Sequence, residues 1–217
     1  MDSMALFITL KLALVTTVIL VVLGAPLAYF LAYNRFFGKP IIEALLYLPI
    51  ALPPTVIGFY LVVAMGPRGF IGSLWKTFTG ASLLFSFAGI TMAAILYSLP
   101  FAVQPMKATF QKLDGRLVEN AAVLGLSPLS IFFRVVLPNS RSGIIAAAIL
   151  VFLHSMGAFG VILMVGGSIP GITKVASIAI YEAVEMMDYR AAGLTALCFI
   201  PISYLFLLLV NKLNEDG

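Results

Sequence analysis

Leu12 to Tyr33 runs for 22 residues without a charge. A helix needs about 20 mostly apolar residues to cross a hydrocarbon layer. Four more runs of that kind follow, Ala44 to Met65, Leu83 to Val103, Gly143 to Val165 and Ala191 to Asn211. In lipid every backbone N–H and C=O must be paired within the protein, and a helix does this within one segment. The expectation is an all-α fold, a polytopic membrane helix bundle with five transmembrane helices, forming one membrane domain over 1–217. Composition supports it: 62% of residues are hydrophobic and 10% charged, whereas soluble domains carry about 25% charged residues. The first run is too long and wrongly flanked for a cleaved signal peptide.

Charge placement orients the spans. Arg35, Lys39, Lys107, Lys112, Arg116, Arg134, Arg141 and Lys212 fall on one side of a five-span topology. Arg68, Lys76, Lys174 and Arg190 fall on the other, with Lys11 at the edge of the first span. Cytoplasmic loops are the richer in Lys and Arg. This reading puts the N-terminus outside, the C-terminus inside and the long loop 104–142 in the cytoplasm of a multi-pass inner-membrane protein. A net charge of +4 spread in this way orients spans and gives no reason to expect nucleic acid as a partner.

Several chemistries are disfavoured. One Cys and one His allow no intrachain disulfide and no metal cluster. Gly38-Lys39 is followed by Pro40 and fails the phosphate-loop pattern, so ATP hydrolysis must come from another chain. His154 and Ser155 are adjacent, and neighbours on a helix point about 100° apart; an intramembrane enzyme built on them is a distant alternative. His154 suits a pathway or gate, or equally a helix–helix hydrogen bond. Ser155, Gly157 and Gly160 form a small-residue patch suited to a dimer interface or gate, or to tight packing within one bundle. Pro53 and Pro54 interrupt the second run, and irregular backbone at that depth belongs against protein or water, lining an interior or a pathway. Between Ile169 and Arg190, Ile178, Tyr181 and Val184 fit a short helix, at the membrane surface or in a solvated outer loop.

The loop 104–142 carries the most specific pattern. Asp114 can cap a first helix that ends at Gly125, and Ser127 with Pro128 can start a second. Leu117, Ala121 and Leu124 would share a face of the first; Leu129, Phe132, Phe133 and Val136 would share a face of the second. Pro138 should discourage helix at Leu137.

These residues resemble the signature of ABC-importer permeases: Glu-Ala-Ala, three residues, Gly, nine residues, Ile, one residue, Leu-Pro. Glu119, Ala121, Gly125, Leu137 and Pro138 match in register, with Asn120 for the first Ala and Val135 for Ile. The resemblance implies a type I importer permease whose coupling helix, Glu119 to Pro138, docks on an ATPase. Leu48–Leu61, Gly66–Gly72 and Gly166–Glu185 resemble the molybdate branch, so nearly the whole chain is covered. That branch often has Ser-Leu-Gly-Glu-Phe-Gly in its fourth span; here Ala158 stands at the Glu position. The resemblance implies a homodimer in the lipid bilayer, two ATPase subunits that use ATP and Mg, and an extracytoplasmic binding protein delivering molybdate or tungstate. This chain would bind no cofactor itself. Sulfate or thiosulfate, or another solute, is the alternative cargo.

Overall fold

An unbroken helix of 31 residues, α1 (Ser3–Tyr33), forms the axis of the structure, a computed structural model that describes residues 2–215. It begins well before the expected Leu12 because Asp2 caps it, the carboxylate accepting from Ala5 N at 2.9 Å. Lys11 does not interrupt it; the ammonium lies 4.4 Å from the centre of the Phe87 ring, where the ring face attracts a cation. At about 1.5 Å per residue the helix exceeds the hydrocarbon thickness of about 30 Å.

The second apolar run is two helices. α2 (Lys39–Ala51) and α3 (Pro54–Met65) meet at 113°. Leu52 is extended at φ −87°, ψ 142°, and Pro54 occupies the first turn of α3. Two successive prolines supply no N–H to carry α2 onward. α4 (Phe70–Thr79) is a short surface helix, and α5 (Phe87–Lys112) is the second long one. It starts later than the expected Leu83 and continues past Val103. Ser86 caps its start by accepting from Gly89 N at 3.0 Å, and the charge of Lys107 is met by Glu43 at 2.6 Å.

Then come α6 (Gly115–Val123), α7 (Pro128–Ile131), a π-helical turn (Phe132–Val136), α8 (Leu137–Asn139) and α9 (Arg141–Met156). The fourth expected span is also broken, since α9 ends at Gly157 and α10 (Gly160–Gly166) starts afresh. α11 (Ala176–Glu185), α12 (Tyr189–Leu197) and α13 (Phe199–Glu215) complete the described residues. Among the described residues three segments are long and apolar enough to cross a membrane, and two bent pairs, Lys39–Met65 and Pro128–Met156, raise this to five when each counts as one span.

α1 packs along α5 and α9, and α3 closes on α10. Gly58 permits the second contact: a Cβ there would lie 2.8 Å from Met164 Cβ. The apolar core concentrates towards the two ends. One cluster holds Ile8, Met65, Ile90, Val161 and Ile178. The other holds Leu31, Met106, Phe110, Phe132 and Val136.

Contacts sort the elements by end. Asp2 meets Lys174 at 3.7 Å, and Thr9 Oγ1 accepts from Ala176 N at 2.7 Å, so the start of α1 and α11 share one end. The Tyr33 hydroxyl donates to the Phe110 carbonyl at 2.8 Å, placing the end of α1, the end of α5 and the α6–α8 turn at the other. α13 runs from Phe199, beside Met156 and Thr9, to Phe206, whose ring lies 5.0 Å from that of Phe152. It therefore heads towards the Arg141 end.

Candidate functional site

The turn at α6–α8 is held by local hydrogen bonds. Asp114 caps α6, accepting from Arg116 N at 3.0 Å. At the far end Leu126 N donates to Ala121 O at 3.1 Å and Gly125 N to Ala122 O at 2.9 Å. That pair of bonds is a Schellman closure, with Gly125 in the left-handed region at φ +81°. A Cβ at Gly125 would touch nothing within 4 Å, so the requirement for glycine is conformational and not steric. Ser127 caps α7 by accepting from Ser130 N at 3.3 Å, and Pro128 sits in its first turn.

Helix continues through Leu137 at φ −58°, ψ −48°, contrary to the expected effect of Pro138. The π turn before it is the reason. Leu137 N donates to Phe132 O, five residues back. The wider turn spares the proline ring the carbonyl four residues earlier. Asn139 Nδ2 supplies a side-chain donor to Val135 O at 2.6 Å.

The two expected apolar faces divide. Ala121, Phe132 and Val136 are buried against α1 and α5, together with Ile131, which sequence periodicity did not single out. Phe132 lies 5.0 Å from the Tyr29 ring, which lies 5.1 Å from Tyr33. Leu117, Leu124, Leu129 and Phe133 instead point outward, as does Val123. Leu124 is 80% exposed and Val123 87%. Glu119 is exposed and joins no ion pair among the described residues. A buried root carrying an uncovered apolar patch rimmed by charge is the form of a protein-docking surface.

The midspan residues form a different kind of site. His154 Nδ1 and Ser155 Oγ do not meet each other; each lies 3.0 Å from Ser98 Oγ on α5. Ser98 is fully buried and was not foreseen, because a lone serine in an apolar run carries no periodic signal. The His154 ring stacks on Phe101 at 4.0 Å and contacts Tyr97 at 4.5 Å. The cluster ties α5 to α9. Gly157 is the exposed C-cap of α9, whereas a Cβ on Gly160 would stand 3.2 Å from Pro54; the patch is thus split between a helix end and the α3–α10 contact. Pro53 and Pro54 are exposed at the 113° bend. An apolar hollow of about 430 Å³ lies between α2, α3 and α5, walled by Leu45, Leu48, Pro49, Ile57 and Leu96. Its walls offer an anion almost no hydrogen-bond donor. Ala158 is core, and its carbonyl accepts from Ser177 Oγ at 2.8 Å; a carboxylate there would be buried.

Residues 21–215 match the family of binding-protein-dependent transport system inner membrane components. A molybdenum transport system permease protein, ModB, of Azotobacter vinelandii is 46% identical over 95% of this chain and 91% of its own length. The protein of the same name in Escherichia coli K12 is 32% identical over 92% of this chain and 86% of its own. Among solved structures, a bacterial ABC transporter involved in import of the acidic polysaccharide alginate superposes with a TM-score of 0.74, at 17% identity, over 98% of this chain and 77% of that one. At that identity the likeness carries the fold alone.

Proposed function

This chain belongs to the family of binding-protein-dependent transport system inner membrane components, and we propose that it moves molybdate, or its congener tungstate, inward by alternating access. It is the permease subunit of an ATP-driven importer. Two copies form the pathway. Two ATPase subunits, using ATP and Mg, dock on the Glu119–Pro138 turns, and an extracytoplasmic binding protein loads the opposite end. The chain holds no cofactor of its own. The N-terminus lies outside and the C-terminus in the cytoplasm, because Arg35, Lys39, Lys107, Lys112, Arg116, Arg134 and Arg141 gather at the docking end. The observation that carries the cargo is the 46% identity to a molybdenum permease across 95% of the chain.

The turn is suited to transmit motion. Its outward residues, Glu119, Leu124, Leu129 and Phe133, take the ATPase, while Phe132 and Val136 bed on α1 and α5. A shift of the turn must move those helices or open their contact, since packed interiors deform little. The bend at Pro53–Pro54 and the break at Gly157 are the places where segments can pivot without losing internal hydrogen bonds. His154, Ser155 and Gly160 lie beside these pivots and serve as gate residues. The test is uptake into vesicles holding this chain with its ATPase and binding protein. Molybdate-loaded binding protein should stimulate ATP hydrolysis and uptake, and sulfate should not. Stimulation by sulfate alone would reassign the cargo; no stimulation by either would remove the oxyanion reading.

A further inference from the structure

The connection from α3 to α5 takes no part in docking or in the pivots. α4 has 10 residues, about 15 Å of helix, too short to cross a bilayer. Residues 66–69 and 80–86 tie its ends to two crossing segments. It is therefore held at the rim of the bilayer, at the end of the molecule opposite the docking turn.

Three arcs of α4 differ. Ile71 and Trp75 pack on the core, and a Cβ on Gly72 would stand 2.1 Å from the Met65 and Gly66 carbonyl oxygens, so the helix is fixed about its axis. Beside that arc Phe70, Leu74 and Phe78 recur every four residues and are uncovered, both phenylalanines at 81%. The remaining arc carries Ser73, Lys76 and Thr77. Its hydroxyls need no water: Ser73 donates to Phe70 O at 3.1 Å and Thr77 to Ser73 O at 2.9 Å. Thr79, next along, donates to Trp75 O at 2.8 Å. α3, the crossing segment before α4, also leaves apolar side chains uncovered, Tyr60 and Val63 among them. No Asp or Glu occurs between Glu43 and Asp114. Arg68 and Lys76 are exposed and join no ion pair among the described residues. Arg68 borders a hollow of about 480 Å³ walled by Val62, Val63 and Leu84.

We propose that α4 and the Arg68 turn form a lipid anchor. Phe70, Leu74 and Phe78 lie among the upper acyl carbons, and Arg68 and Lys76 bind the phosphates of anionic phospholipid. The hollow beside Arg68 admits the head of an acyl chain. An amphipathic helix with aromatics on one face and a cation on another, here joined by Arg68 in the turn before it, takes this position. The proposal rests on membrane placement and is independent of the cargo.

Trp75 is the only tryptophan in the chain, so tryptophan emission, excited apart from the tyrosines, reports on α4 alone. The full chain is reconstituted in phosphatidylcholine vesicles with a minor fraction of phosphatidylglycerol, one or the other brominated close to the headgroup. Shallow bromines should quench Trp75, with about fivefold preference per cation for the anionic lipid at equal mole fraction. Arg68→Gln with Lys76→Gln should retain quenching by brominated phosphatidylcholine and bring the preference to parity. Phe70→Ser with Phe78→Ser should lose shallow quenching while circular dichroism stays unchanged. Equal quenching by both lipids in the wild type, or an undiminished preference in the double glutamine variant, overturns the proposal. So does an unquenched Trp75 with Phe78→Cys, in a Cys198→Ala background, crosslinking to the binding protein or to a second copy.

Discussion

The segments Glu119–Pro138 and Gly166–Glu185 are 20 residues each and sit at opposite ends of the molecule, yet they are built in opposite ways. The second closes on itself. Lys174 Nζ lies 2.7 Å from Glu182, Ser168 donates to Glu182, Thr173 donates to Gly166 O at 2.7 Å, and Thr9 and Ala158 accept from its residues. Ile178 is fully buried in the core, so α11 is a packed strap. The first segment keeps its hydrogen bonds local, leaves Leu124, Leu129 and Phe133 largely uncovered, and has Glu119 in no ion pair among the described residues. A closed strap stabilises its own end; an open turn leaves an uncovered apolar face of the kind that suits another protein.

The contrast breaks most completely at Gly125. The left-handed backbone there costs a residue with a Cβ about 1–2 kcal/mol, and a β-branched one more. Gly125→Val should misdirect α7 and lower coupled transport at least about tenfold, by loss of roughly 1.4 kcal/mol or more of transition-state coupling. The spans should remain inserted. Uptake and ATP hydrolysis measured on one reconstituted sample check it; wild-type coupling would mean the corner is not needed. Glu119→Lys should act next most strongly, placing a like charge on a basic rim and weakening ATPase binding several-fold, read by co-purification at two salt concentrations. Equal retention at both would exclude an electrostatic contact.

The closed features should respond less. His154→Ala should slow transport while assembly with the ATPase persists, because Ser98 keeps its bond to Ser155. A double-mutant cycle with Ser98→Ala should give about 0.6 kcal/mol of coupling, the usual scale for membrane hydrogen bonds. Loss of assembly with a normal rate per complex would make the cluster purely structural. The smallest effect is expected at the strap. The Lys174 ammonium is raised above its usual range chiefly by its hydrogen bond to Glu182. Glu182 is held below the usual carboxylate range by the same bond and by Ser168. The lowered carboxylate stabilises the fold above its ordinary pKa of 4.5 and stops doing so as pH falls through the lower folded value. The raised ammonium stabilises it below 10.5 and stops as pH rises through the higher one. Unfolding should thus be flat between these limits. Glu182→Gln should remove the acid limb at a cost of about 0.5–1 kcal/mol; an unchanged acid limb would place it elsewhere.

What was legible in advance was what is local. Asp114, Gly125, Ser127 and Pro128 act within four residues of themselves, and each takes the expected place. The bends were not legible. Pro53 and Pro54 announce a break, but where α3 goes after it depends on its seat against α10, Gly58 against Met164 and Gly160 against Pro54, contacts between residues about a hundred positions apart. The end of α5 was masked because Lys107 reads as loop until Glu43, far earlier in the chain, is found beside it. Ser98 had no signal at all; only the fold brings it to His154. Pro138 misled because a π turn, invisible in composition, absorbs it. The outward half of the docking patch was legible as apolar but not as exposed, since periodicity cannot say which face a partner will cover.

The Glu119–Pro138 turn is proposed to be held open for the ATPase, and the Gly166–Glu185 strap is not. A photocrosslinking side chain at Leu124, in the assembled importer, tests it against the same group at Tyr181. Leu124 should crosslink to the ATPase subunit in high yield and Tyr181 should not. A Leu124 group that reaches only lipid or its own chain, with the ATPase bound and active, would contradict the account.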